Sequence, residues 1–236
     1  MTLPHGLIVS CQAYQGDPLF GAPIMAAMAR AAQAGGAVAI RANGPEDIAA
    51  IRAAVPLPIL GLWKIGSTGP LDVYITPDVA SADAIAAAGA DILAVDGTPR
   101  ARRTGVMLRA LIAHIHERWR LPVMADISCL DDALFAVDCG ADVVGTTLAG
   151  YTAHGRPRGD DPDLALLADV VHRLPHVPIV AEGRISTPEQ AAAAFDCGAH
   201  AVVVGAAITR PEQITARFVR ASDARNRRGD PAAKED

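Results

Sequence analysis

The segment "GGAVAIRANGPEDIAAIRAAVPLPILGLWK", residues 35–64, holds two apolar runs, Ala37–Ile40 and Ile59–Trp63, that begin differently. Gly-Gly-Ala leads into the first and Leu-Pro into the second. Between them "PEDIAAIRAAV" carries apolar residues at helical spacing, so the segment reads as strand, helix, strand. A glycine suits the left-handed position that closes a helix, and a proline suits a chain leaving a helix for a strand.

Working outward, the same two beginnings alternate along the chain. Apolar runs fall at Leu7–Val9, Ala37–Ile40, Ile59–Trp63, Ile92–Val95, Val123–Ala125, Val143–Val144, Ile179–Ala181 and Ala201–Val204. Gly-Ala or Gly-Gly-Ala precedes the second, fourth, sixth and eighth, in "GGAVAI", "GADILAV", "GADVVGT" and "GAHAVVVG". Proline precedes the third, fifth and seventh, in "LPIL", "LPVM" and "VPIV". The alternation implies a unit of two βα modules used four times, hence a single α/β domain, a closed (β/α)8 TIM barrel, for which about 250 residues is typical. An open doubly wound sheet is disfavoured because no break in composition and no GxGxxG occurs. The barrel is expected over residues 1–220. From about Arg220, "ASDARNRRGDPAAKED" is polar and charged, and residues 221–236 are expected to form a disordered tail.

Composition agrees and removes other classes. The 236 residues are 51% hydrophobic but only 4% aromatic, which suits parallel strands under helices better than a β-sandwich. A formal net charge of -5 and no block of like charge argue against a nucleic-acid surface. "MTLPHGLIVS" has no positive segment followed by an apolar one, and no apolar run approaches a membrane span, so a soluble cytoplasmic protein is expected. Cys11, Cys129, Cys139 and Cys197 are scattered with no CxxC, which reads as reduced thiols.

Catalytic residues of a barrel stand at the C-terminal ends of its strands. Here those positions hold Ser10 and Gln12, Arg41, Lys64, Asp96, Asp126, Thr146 and Thr147, Glu182, and Gly205. Lys64 and Glu182 follow the third and seventh runs, four apart in a ring of eight, and should face each other across the mouth. Two such groups on opposite faces of one carbon can take a proton from one side and return one to the other. The plain alternative is a buried Lys–Glu ion pair. The last two loops, "EGRIST" and "VGAAITRPEQ", have the makings of a phosphate site, with Gly183 and Gly205 for close backbone approach and Arg184 and Arg210 as cationic donors. "GLWKIGST" has P-loop glycine spacing, but Ser67 stands where the lysine belongs. The pairs His114 and His116, and His172 and His176, make no persuasive metal site.

With these residues placed, the chain resembles the N-acetylmannosamine-6-phosphate 2-epimerase family over nearly its whole length. The match is carried in order by "LIVSCQA", "GGAVAIRANG", "PILGLWK", "YITP", "DILAVDGT", "MADIS", "TTLAGYT", "AEGRIST" and "VVVGAAITRPEQIT". The resemblance implies a barrel of the ribulose-phosphate-binding type that interconverts the 6-phosphates of N-acetylmannosamine and N-acetylglucosamine in sialic acid or amino-sugar breakdown. It implies Lys64 and Glu182 as the catalytic pair, Gln12, Arg41 and Asp126 around the sugar, and Gly183, Arg184, Gly205 and Arg210 at the phosphate. "KIGSTGPLDVY" departs from the family pattern, so the loop Ile65-Gly66-Ser67-Thr68 is locally unusual. The chemistry requires no metal or redox cofactor if donors hold the enolate oxygen. The expected partners are a small phosphosugar and a second copy in a homodimer, with no nucleic acid and no membrane. Two rivals use the same residues: a phosphosugar lyase or aldolase with Lys64 as Schiff-base nucleophile, and a phosphosugar-binding barrel without chemistry.

Overall fold

The computed structural model of the chain describes residues 3–66, 69–153, 155, 157 and 159–229. Eight parallel strands close into one barrel in sequence order: β1 (Gly6–Cys11), β2 (Ala39–Asn43), β3 (Ile59–Leu62), β4 (Ile92–Asp96), β5 (Val123–Asp126), β6 (Val143–Gly145), β7 (Ile179–Glu182) and β8 (Ala201–Val204). Each overlaps one apolar run of the sequence. The ring is sealed by β8 on β1, in the register Gly6 with Ala201 through Val9 with Val204.

Helices α1 (Ala22–Ala34), α2 (Pro45–Ala54), α3 (Val79–Ala87), α4 (Leu108–Trp119), α5 (Leu130–Asp138), α6 (Leu164–Arg173) and α7 (Pro188–Asp196) fill the connections. After β8 come a single turn, α8 (Ala206–Thr209), and α9 (Pro211–Gly229). Helix α9 runs past Arg220, where the sequence was expected to fray. Alanine and arginine are good helix formers, and "ASDARNRR" supplies both. Residues 230–236 of the expected tail lie outside the described residues, as do Ser67 and Thr68 of the unusual loop.

Two apolar shells hold this together. The outer one lies between strands and helices, where Val9, Ile40, Ile59, Leu93, Val123 and Val144 meet the helix faces carrying Met25, Ile48, Ile85 and Leu111. The inner one fills the barrel with Ile8, Leu60, Leu62, Ile92, Met124, Val143, Val180 and Val203. Because side chains alternate faces along a strand, each inward apolar residue is followed two positions later by another inward residue. That step carries Ile8 to Ser10, Leu62 to Lys64, Ala94 to Asp96, Met124 to Asp126 and Val180 to Glu182. The polar residues at the strand ends are therefore the top layers of one interior.

No helix among the described residues is long and apolar enough to cross a membrane.

Candidate active site

The floor of the site is a charged layer inside the barrel. Arg41 was expected just past the end of its strand, but it lies within β2, fully buried. The charge ended the apolar run while the strand continued to Asn43. Arg41 donates twice to Asp126, Nη1 to Oδ1 at 3.1 Å and Nη2 to Oδ2 at 2.5 Å, and its Nη1 stands 2.9 Å from Glu182 Oε2. Asp126 Oδ1 also accepts from Thr147 at 2.6 Å. Room for this layer comes from Gly145, where a Cβ would strike Met124 Cε and lie 3.3 Å from Asp126 Oδ1. Burial alone would lower the guanidinium's pKa, but the carboxylates of Asp126 and Glu182 outweigh it and raise it.

Glu182 ends β7, and its backbone is tied through both its N–H and its carbonyl to Thr146, the residue just after β6. Its N–H donates to Thr146 Oγ1, and that hydroxyl donates to its carbonyl, both at 3.0 Å. Burial, reinforced by Asp126, raises the Glu182 pKa, with Arg41, Lys64 and Thr147 pulling the other way. The net direction is upward because desolvation of the carboxylate exceeds what its partners return. The carboxyl thus holds a proton more readily than a surface glutamate.

Lys64 is held at its backbone and at its tip. Its N–H donates to Asn43 Oδ1 at 2.8 Å, and an isolated antiparallel bridge pairs it with Ile75. Around it Ile65 donates to the Tyr74 carbonyl and Thr76 to the Trp63 carbonyl. Nζ reaches the Tyr14 hydroxyl at 2.7 Å.

Above the floor lie two adjoining cavities of about 560 and 640 Å³, which share Tyr14, Lys64, Tyr151, Glu182 and Gly183 as a common wall. The larger is closed by Tyr74, Ile75 and Thr147. Burial, with Asp126 adding to it, pushes the Tyr74 phenol up to about 12, so it remains a donor. The smaller cavity is walled by the loops after β7 and β8, with Gly183, Arg184, Ser186, Gly205, Arg210 and Arg217. Gly183 has φ 112° and Arg184 φ 59°, so the chain turns through the left-handed region twice in succession. Arg184 holds that turn, donating to the carbonyls of Asp161 at 2.8 Å and Ala149 at 2.6 Å. Thr209 ties the other loop to β1 by donating to the Ser10 carbonyl at 3.0 Å.

Of the residues singled out in the sequence, Gln12, Lys64, Glu182, Gly183, Arg184, Gly205 and Arg210 line the smaller cavity, whereas Arg41 and Asp126 line neither and lie beneath. Gln12 donates to Ser10 Oγ at 2.8 Å, and its buried Oε1 has no partner among the described residues. Asp96 is drawn off by Arg100 at 2.6 Å and by Thr98, and the Arg102 guanidinium donates to its carbonyl. His114 and His116 pair with Asp83 and Asp142, and no cluster arranged to hold a metal ion occurs among the described residues. Tyr14, Tyr74 and Tyr151 had not been singled out.

The chain is similar to known proteins over most of its length. Residues 25–224 match the family model described as "Putative N-acetylmannosamine-6-phosphate epimerase". A relative from Cutibacterium acnes described as "Putative N-acetylmannosamine-6-phosphate 2-epimerase" is 50% identical over 218 residues, covering 92% of this chain and 93% of its own. One of the same description from Thermosynechococcus vestitus is 53% identical over 208 residues, covering 86% and 87%. The solved structure of the N-acetylmannosamine-6-phosphate 2-epimerase from Clostridium perfringens superposes with a TM-score of 0.87 at 41% identity, covering 91% of this chain and 92% of that one.

Proposed function

Since the chain belongs to the N-acetylmannosamine-6-phosphate epimerase family, we propose that it inverts C2 of N-acetylmannosamine 6-phosphate to give N-acetylglucosamine 6-phosphate, with Lys64 and Glu182 carrying the C2 proton. The observation that carries the reading is the common wall: the two proton-carrying side chains stand at the ends of β3 and β7, between a cavity rich in arginine and glycine and one lined by hydroxyl donors.

The phosphate takes the smaller cavity, where Gly183 and Gly205 let the backbone approach and Arg210 offers a charge-assisted donor. That anchor sets the open-chain sugar across the wall with C2 between Lys64 and Glu182. The C2–H bond lies next to the C1 aldehyde, so its electrons pass into the C1 carbonyl as one of the pair takes the proton. The Tyr74 hydroxyl donates to the developing enolate oxygen. The other member of the pair delivers a proton to the opposite face, the carbonyl reforms, and the configuration is inverted. Gln12 Oε1 accepts from the sugar's hydroxyl or amide N–H. Arg41 and Asp126 act below the ligand by holding Glu182 in place. Free thiols at Cys11, Cys129, Cys139 and Cys197 suit a reducing cytoplasmic setting.

Turnover of N-acetylmannosamine 6-phosphate in D2O is expected to place solvent deuterium at C2 of the product, with borohydride trapping no adduct on Lys64. A reduced sugar–lysine adduct found by mass spectrometry, together with a product free of C2 deuterium, would overturn the reading in favour of Schiff-base chemistry.

A further inference from the structure

Tyr14 stands between the two ends of the site and touches both. Its hydroxyl accepts from Lys64 Nζ at 2.7 Å, and Lys64 Nζ and the Arg210 guanidinium lie 5.3 and 5.4 Å from its ring centre. Its backbone is clamped by Asp17, whose Oδ2 accepts the Tyr14 N–H at 2.7 Å while the Asp17 N–H donates to the Tyr14 carbonyl at 2.9 Å. The same Oδ2 is the ion-pair partner of Arg210 at 2.9 Å, with Glu212 more distant at 3.6 Å. The Tyr14 N–H, and then Arg210 against the opposing effect of burial, hold the Asp17 carboxyl below its usual pKa, so it is a carboxylate at neutral pH.

One carboxylate oxygen therefore fastens both the phosphate arginine and the tyrosine that ties up the proton-carrying lysine. A phosphate dianion carries twice the charge of Asp17 and faces Arg210 from the cavity. Once Arg210 turns to it, Asp17 loses its cation and is left beside a like charge. The Tyr14 turn then has less to hold it and more to repel it.

We propose that Tyr14, clamped by Asp17, is a positioning residue that makes Lys64 available only when phosphate occupies Arg210, so that the phosphate selects the substrate by releasing the proton carrier as well as by binding. This rests on Lys64 as proton carrier and on the loops after β7 and β8 as the phosphate end. Binding energy from a part of the substrate that does not react is used at the reacting carbon. The two sites are coupled through one identifiable chain of contacts.

The test uses unphosphorylated N-acetylmannosamine in D2O, with C2 exchange followed by NMR with and without phosphite dianion. Phosphite is expected to accelerate exchange by wild type by at least about fivefold, the low end of allosteric couplings. In Tyr14→Phe, exchange without phosphite should rise by about fivefold, the size of one net hydrogen bond, and the acceleration by phosphite should fall below about twofold. Asp17→Asn should behave alike. The ratio of kcat/KM for phosphorylated over unphosphorylated sugar should fall in both. A residue that merely stabilised the loop would lower both rates and leave the phosphite ratio unchanged. Tyr14 is 42% exposed, so its variant is expected to fold, and far-UV circular dichroism checks this. No acceleration in wild type, or equal acceleration in wild type and Tyr14→Phe, would overturn the coupling. Failure of wild type to epimerise N-acetylmannosamine 6-phosphate would instead overturn the function on which it rests.

Discussion

Lys64 follows Leu60 and Leu62 on the inward face of β3 and is the first residue on that face with a charge. Its backbone is pinned by Asn43 and Ile75, so the freedom it keeps is in its side chain. A proton carrier needs that division, because the ammonium must reach the carbon and withdraw while its anchor stays still. Lys64→Met should retain the fold and lose turnover by more than the roughly 10²–10⁴-fold of an auxiliary acid or base, measured with purified protein at saturating substrate. Near-normal turnover would move the principal role to Glu182. At this scale the sequence shows charged residues at strand ends plainly but conceals what lies between them. Arg41 was misplaced because a charge looks like the end of an apolar run, whereas a barrel interior accepts it once two carboxylates are aimed at it. Tyr14 continues the inward parity of Ser10 and Gln12, and that step of two was the available signal. Its contact with Lys64 joins residues far apart in sequence, which no local pattern reveals.

Among the elements, the paired strand starts correspond to a repeated hydrogen-bonding device. The residue opening each even module donates its N–H to the first or second residue of the strand before it: Val38 to Leu7, Asp91 to Ile59, Asp142 to Val123 and His200 to Ile179. At Asp91 and Asp142 the side chain also accepts the N–H of that earlier strand, from Ile59 and Val123 at 2.8 Å each. Each of these carboxylates takes a second partner, Arg52 for Asp91 and His116 for Asp142. The rule of Gly-Ala before even strands and proline before odd ones was therefore legible, because it marks where two modules are joined. The end of α9 was not legible, because helix propensity in "ASDARNRR" competes with its polarity. Asp91→Ala should cost about 1–3 kcal/mol by urea denaturation, since it strands the Ile59 N–H and removes the ionic partner of Arg52, which keeps only the Gly89 and Leu57 carbonyls. A change of a few tenths would show the device to be redundant.

For the whole molecule, the barrel interior is divided between an apolar plug and the charged floor of Arg41, Asp126 and Glu182. Neutralising Arg41 leaves the two buried carboxylates without the guanidinium they share. Arg41→Met should therefore lose about 3–5 kcal/mol of stability, measured by chemical denaturation. Arg41→Met combined with Asp126→Leu should recover much of that loss while turnover stays low, because Glu182 then lacks its positioning partner. Recovery of both would mean that the floor serves the fold alone.

Closure of the ring has a consequence for how the protein is made. Strand β8 is the last to leave the ribosome and must find β1, the first, so the joint between Gly6–Cys11 and Ala201–Val204 depends on contacts of very large sequence separation. The cavity assigned to the phosphate straddles that joint, with Ser10, Gln12 and Tyr14 from one side and Gly205, Thr209 and Arg210 from the other. The anchoring half of the site as proposed therefore cannot form until β8 has been made. On the proposed reading, a chain that lacks β8 has no grip for phosphorylated sugar, and ligand captured by the finished one holds that seam shut.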